Sequence, residues 1–149
     1  MNVPSIFLSG TLLLAGIGIP IMAALNSGLG ARLGNPTQAA AWLFALALFC
    51  SLLVLWLQQQ PLRLTTANIP APYFLGGLFV AFYVLAITFI APKIGVGNAV
   101  ALVLLGQLAA STTIDHFGWM GAPQTTLNAS RAAGVICMMI GVVLTRRLT

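Results

Sequence analysis

The sequence predicts an all-α membrane protein of five transmembrane helices, and three observations carry that prediction. The 149 residues are 60% hydrophobic and 5% charged, where a soluble domain carries roughly 25% charged residues. A single acid, Asp115, and six Lys or Arg are too few to solvate an exterior in water, and the mean hydropathy is +1.04. The apolar residues also fall into runs near the roughly 20 that a spanning helix needs. A soluble globular fold is excluded, and any function is expected within or across the membrane.

The first helix is expected over residues 6–25, a charge-free run without the basic leader of a cleavable signal peptide, so it should be retained. Within it, Pro20 removes the amide that would bond the carbonyl of Gly16, and Gly18 adds freedom. A kink or opening is therefore expected there, a plausible gate built from Gly16, Gly18 and Pro20. Asn26 lies just past the run, placed either for a cap at the interface or for substrate contact. The second helix is expected over 39–57, with Trp42 and Trp56 near its ends as interfacial anchors. The third, over 73–91, carries Phe79, Phe82, Tyr83 and Phe89. Only Tyr83 among these has a hydroxyl that needs a partner in the membrane.

The fourth helix, over 95–114, is bounded by Pro92-Lys93 and by Asp115-His116. It holds the most informative polar residue, Gln107, deep in the apolar run with Ala110, Ser111 and Ile114 on the same face. An amide moved into hydrocarbon without partners costs roughly 4–8 kcal/mol. Gln107 must therefore face other helices or a cavity, either lining a pocket or bonding between helices. The fifth helix is expected over 127–144, and its charge-free part is short enough that Arg131 has to snorkel. Its Gly134, Met138, Gly141 and Thr145 recur at helical spacing as a close-packing seam. Turn and stop chemistry separates the runs at Gly34-Asn35-Pro36, Pro61, Pro70-Ala71-Pro72, Pro92 and Gly121-Ala122-Pro123. No connection is long enough for a second domain, so residues 1–149 read as one five-helix transmembrane domain.

The charges exclude several functions. Although the net charge is +5, Arg32, Arg63, Lys93, Arg131, Arg146 and Arg147 stand singly or in one pair, which makes no nucleic-acid patch. Five spans put Arg63 and Arg131 on the side of the N-terminus and the other four bases opposite. That weak bias favours an outside N-terminus and leaves dual insertion open. Cys50 and Cys137 lie inside apolar runs and form no disulfide framework. One His, one Asp and two separated Cys make no metal cluster, no phosphate loop is present, and neither a cofactor nor an enzyme activity is expected. Asp115 is expected to form an interfacial ion pair with Arg131. No carboxylate lies deep in a helix, so facilitation of neutral or zwitterionic solutes fits better than cation/proton antiport.

The ordered set Gly16-Ile17-Gly18-Ile19-Pro20, Asn26, Leu29-Gly30, Pro92-Lys93-Ile94-Gly95, Gly106-Gln107-Leu108, Asp115-His116-Phe117-Gly118, Arg131, Gly134 and Gly141 resembles the YdcZ-like family of the drug/metabolite transporter superfamily. The resemblance covers essentially the whole chain. It implies a multi-pass protein of the bacterial inner membrane and half of a ten-helix transporter. Such a half would be completed as an antiparallel homodimer or a paralogous heterodimer. The expected function is transport of a small metabolite by alternating access, with Gln107, Ser111, Tyr83 and Asn26 as substrate contacts and lipid as the surrounding partner. A non-transporting membrane interaction subunit is the alternative.

Overall fold

The computed structural model describes residues 5–59, 61 and 69–145. Among these the chain is all-helical, with five α-helices: α1 Ser5–Leu33, α2 Pro36–Leu57, α3 Gly76–Ile94, α4 Val96–Phe117 and α5 Ala129–Thr145. A 3₁₀ turn at Ala71–Leu75 runs directly into α3. Four helical stretches are long and apolar enough to cross a membrane, ending at Leu33, Leu57, Ile94 and Phe117, while α5 is a shorter apolar helix. The chain forms two compact units, Met1–Lys93 and Ile94–Thr149. Arg63, Arg146 and Arg147, half of the basic residues in the charge count, lie outside the described residues.

In the first unit, α1 continues eight residues beyond the end of its apolar run. Hydropathy stops at Leu25 because Asn26, Ser27, Gly28 and Gly30 are polar or small, yet these residues are where the helix packs. Ala23, Asn26, Ser27 and Gly30 share one face and are buried, as are Ala39 and Ala40 of α2 and Val84, Ile87, Thr88 and Ala91 of α3. The contact is tightest at Gly30. A Cβ placed there would lie 3.1 Å from Pro36 Cα, 3.5 Å from Thr88 Cγ2 and 3.6 Å from Ala39 Cβ. Small residues that let backbones approach closely are what holds helices together in lipid, where apolar burial alone offers no gain.

The α1–α2 hairpin closes through Gly34-Asn35-Pro36. Gly34 adopts φ +63°, the left-handed geometry that glycine tolerates without a steric penalty. The Gly34 and Asn35 amides then donate back to the carbonyls of Ala31 and Gly30. Asn35 caps α2, its Oδ1 accepting from Thr37 N at 2.9 Å and Gln38 N at 3.2 Å, and Pro36 takes the first helical position, where its missing amide costs nothing. The same cap starts α2 at Pro36, three residues before its apolar run.

Two sequence expectations change here. First, α1 passes through Pro20 as one helix. The expected opening is absent because a proline removes a single intrahelical bond and the flanking turns hold the rest. An added Cβ at Gly16 or Gly18 meets no atom within 4 Å, so neither glycine serves a close approach among the described residues of this unit. Second, Asn26 is not a helix cap. It sits inside α1, 5% exposed.

In the second unit, α4 packs on α5. Gly95 (φ +86°) precedes α4, and Gly118 (φ +62°) ends it with its N–H returning to the carbonyl of Ile114. Among the described residues of this unit, nothing crowds Gly134 or Gly141 of the expected α5 seam, where an added Cβ meets no atom within 4 Å.

The close approach at Gly30 sets an expected outcome. Gly30→Ala should cost about 1–3 kcal/mol by overpacking against the fixed Pro36 backbone. Gly10→Ala, where no atom lies within 4 Å, should leave stability within about 1 kcal/mol of the parent. Thermal melting in detergent checks the pair, and equal melting of the two variants would mean that the hairpin yields at Pro36.

Candidate functional site

The buried polar side chains of the membrane-spanning helices lie in the first unit. In the first unit, Asn26 of α1 donates from Nδ2 to Thr88 Oγ1 of α3 at 2.6 Å, and Thr88 Oγ1 donates on to the Val84 carbonyl at 2.7 Å. Thr88 is 1% exposed. A relay of this kind, closed inside hydrocarbon, fixes α1 and α3 against sliding past one another. Beside Asn26 on α1 is Ser27, 8% exposed, and on α3 lies the half-buried Tyr83. Ser27 Oγ and Tyr83 Oη are both buried atoms without a hydrogen-bond partner among the described residues. In a membrane such hydroxyls cost free energy unless water or a ligand meets them.

A groove of about 720 Å³ opens along α1 and α2 of the same unit, walled by Met22, Leu25, Leu29, Trp42 and Leu46, with Asn26 as the polar part of its lining. A smaller space follows α4 of the second unit, lined by Gly106, Ala110, Thr113 and Trp119 among others.

Gln107 and Ser111 belong to the second unit, and both are exposed there. Ser111 Oγ donates to the carbonyl of Leu108 within its own helix at 3.2 Å. An exposed amide midway along an apolar helix cannot rest against lipid, so the Gln107 face requires a cover beyond the packing of its own unit.

At the end of α4, Arg131 Nη2 of α5 donates to Asp115 Oδ2 at 2.5 Å, and Nη1 reaches the Thr125 carbonyl at 3.0 Å. The connection to α5 is tied back along its length. Thr125 N donates to the Asp115 carbonyl at 2.9 Å, Gln124 Nε2 to the His116 carbonyl at 3.1 Å, and Leu127 N to His116 Nδ1 at 3.1 Å. This last bond requires a neutral imidazole with its proton on Nε2. Asn128 Oδ1 accepts from Arg131 N at 2.8 Å and so starts α5. The one acid of the chain is thus spent on holding a connection. No group of His, Cys, Asp or Glu among the described residues could hold a metal ion.

The structure therefore joins Asp115 to Arg131, and places Asn26 and Tyr83 in one unit and Gln107 and Ser111 in the other. Reading the sequence missed Thr88 and Ser27. Each is a small hydroxyl residue in an apolar stretch, and the available signal was spacing. Ser27 follows Asn26 on the face of Ala23 and Gly30, and Thr88 falls on the face of Val84, Ile87 and Ala91.

A family model described as "Putative inner membrane exporter, YdcZ" matches residues 7–144. The chain belongs to the YdcZ-like family of the drug/metabolite transporter superfamily. Comparison with curated proteins and with solved structures gives no match. The YdcZ-like family is one of transporters rather than enzymes, and its members are multi-pass proteins of the inner membrane, in keeping with the four helices here that can span it.

For this YdcZ-like protein the Asn26–Thr88 relay yields a measurable coupling. Asn26→Leu or Thr88→Val strands one buried partner and should cost about 1–3 kcal/mol. The double variant should cost less than the sum of the two. A double-mutant cycle on unfolding free energy reads the difference, and strict additivity would show that the 2.6 Å contact contributes nothing.

Proposed function

We propose that this protein is a transporter or facilitator of a small metabolite, in which the five helices act as one half of a paired, alternating-access unit. The observation that carries the reading is the presence of two unpartnered buried hydroxyls, Ser27 Oγ and Tyr83 Oη, on α1 and α3, the helices that the Asn26–Thr88 bond joins. A helix bundle evolved only to pack would have apolar residues at those positions. A transport path needs polar groups that are left for the passing solute.

In this reading Asn26 and Tyr83 are solute contacts within the first unit, and Gln107 and Ser111 are solute contacts within the second. Gly16, Gly18 and Pro20 supply the compliance for gating. A second five-helix copy, inserted the other way up or supplied by a paralogue, covers the Gln107 face and the unused glycines Gly134 and Gly141. The weak charge bias of the sequence permits such an inverted copy.

Because Ser27 Oγ and Tyr83 Oη have no partner to strand, Ser27→Ala and Tyr83→Phe should leave the melting temperature unchanged or raised. Transport by either variant should fall by about 10-fold, the effect of roughly 1.4 kcal/mol of lost contact. The measurement is flux in proteoliposomes of solutes that shift the melting temperature of the purified protein, drawn from neutral and zwitterionic metabolites. Parent flux retained by both variants would remove the hydroxyls from the path, and no flux of any solute would favour a non-transporting subunit.

Asp115 is held by Arg131 at the end of α4 and should serve assembly rather than coupling. Asp115→Asn is expected to lower the melting temperature and to leave the ratio of protons to solute unchanged. A stoichiometric proton flux that vanishes in this variant alone would overturn that assignment.

A further inference from the structure

We propose that the groove along α1 and α2 is a binding site for a neutral, largely apolar solute that carries a single hydrogen-bonding group, taken up from the bilayer. The proposal deepens the transport reading, since it shares Asn26 with it. The groove measures about 720 Å³, within the roughly 300–1,000 Å³ of small-molecule sites. Its described lining is leucines, Met22, Trp42, alanine and one amide, with no charged side chain. An uncharged wall excludes ions, whose desolvation it could not offset. Trp42 offers an aromatic face, and the buried Asn26 offers a hydrogen-bonding amide against an otherwise apolar surface.

That amide decides between occupants. A lipid acyl chain has no group to meet it, and filling the groove with hydrocarbon would leave polar capacity unused. An amide has two donors and two acceptor lone pairs, and the bond to Thr88 engages one donor. A solute hydroxyl placed there meets the amide at a position already fixed by Thr88, so little ordering is lost on binding. The single polar anchor in an apolar groove sets orientation while the walls supply the affinity.

The test compares 1-naphthol with 1-methylnaphthalene, which has nearly the same shape and no hydroxyl. Equilibrium binding is measured on purified protein in lipid nanodiscs, with empty nanodiscs subtracted. The parent protein should bind 1-naphthol saturably and at least about 10-fold tighter than 1-methylnaphthalene. Asn26→Leu should bring the two to the same weak affinity. Because that variant also breaks the bond to Thr88, Ala45→Trp provides a second reading: it fills the groove from the α2 wall without touching the relay, and should abolish binding of both probes. Equal affinity of the two probes for the parent, or binding that survives Ala45→Trp, would overturn the proposal. So would quenching of Trp42 by dibrominated phosphatidylcholine without saturable naphthol binding, in a Trp56→Phe, Trp119→Phe background, which assigns the groove to lipid. Disulfide formation between Ala45→Cys copies would assign it to a second chain and equally overturn the proposal. The readout is independent of transport: saturable, Asn26-dependent binding by a protein that moves no solute would keep the groove and remove the transport reading, and flux without such binding would do the reverse.

Discussion

The backbones of α1 and α2 meet at Gly30 with the Thr88 methyl of α3 against them, and the rest of the first unit depends on how closely they do so. Water is absent from the surroundings, so burying leucine against leucine instead of lipid gains nothing, and association must come from contact density and hydrogen bonds. Gly30, Ala39 and Ala91 remove the side-chain bulk that would hold α1, α2 and α3 apart. Only then can Asn26 reach Thr88 at 2.6 Å. The bond is both a product of the close approach and a lock on it, because an amide pulled away from its partner would sit unsatisfied in hydrocarbon. The same logic explains why large residues such as Leu12 and Phe82, each 73% exposed, point outward. In lipid they are solvated where they are.

That constraint also separates residues that hold the fold from residues left over. Gly30 and Thr88 are engaged on every side. Gly16, Gly18, Gly134 and Gly141 have open space around them, and Gln107 presents an amide that its own unit leaves uncovered. Glycines that nothing crowds and polar atoms that nothing satisfies are both costly in a spanning helix, through lost propensity and lost hydrogen bonding. Under the transport reading the cost has a use, because a path that alternates between two openings needs surfaces whose contacts change. A bundle that served only as a membrane anchor has no such need.

The all-helical class and its five helices were legible in the sequence, because hydropathy responds directly to lipid. The boundaries were less so. Polar Asn26 ended the first apolar run, yet the helix continues to Leu33 because tertiary packing accepts small and polar residues that hydropathy counts against it. Asn35 and Pro36 started α2 early through capping, a local signal present in the sequence as Gly34-Asn35-Pro36 and read only as a turn. For the candidate site, Asn26, Tyr83, Gln107 and the Asp115–Arg131 pair were visible as polar residues in or beside apolar runs. Thr88 and Ser27 were not, since a hydroxyl in a membrane helix can bond its own i−4 carbonyl and pass as neutral. Only the register between helices distinguishes Thr88, which bonds both Val84 and Asn26, from Thr112 and Thr113, which bond carbonyls of their own helix.

The placement of charge closes the argument about energy. A proton-driven exporter must expose an ionisable group to each side of the membrane in turn, and that group must be free to exchange its proton for a substrate. Here the acid is at the last turn of α4, its carboxylate on Arg131, its own carbonyl accepting from Thr125, and the same guanidinium reaching the Thr125 carbonyl. Losing the Asp115 carboxylate would release the arginine and loosen the connection to α5, a change in structure at one end of a helix. His116 beside it accepts from Leu127 N and is bound into the same connection. With both ionisable groups of this region tied to the turn, the driving force under the transport reading falls to the gradient of the solute itself. A neutral cargo then needs no counter-charge in the membrane, and the uncharged lining of the α1–α2 groove is consistent with that requirement.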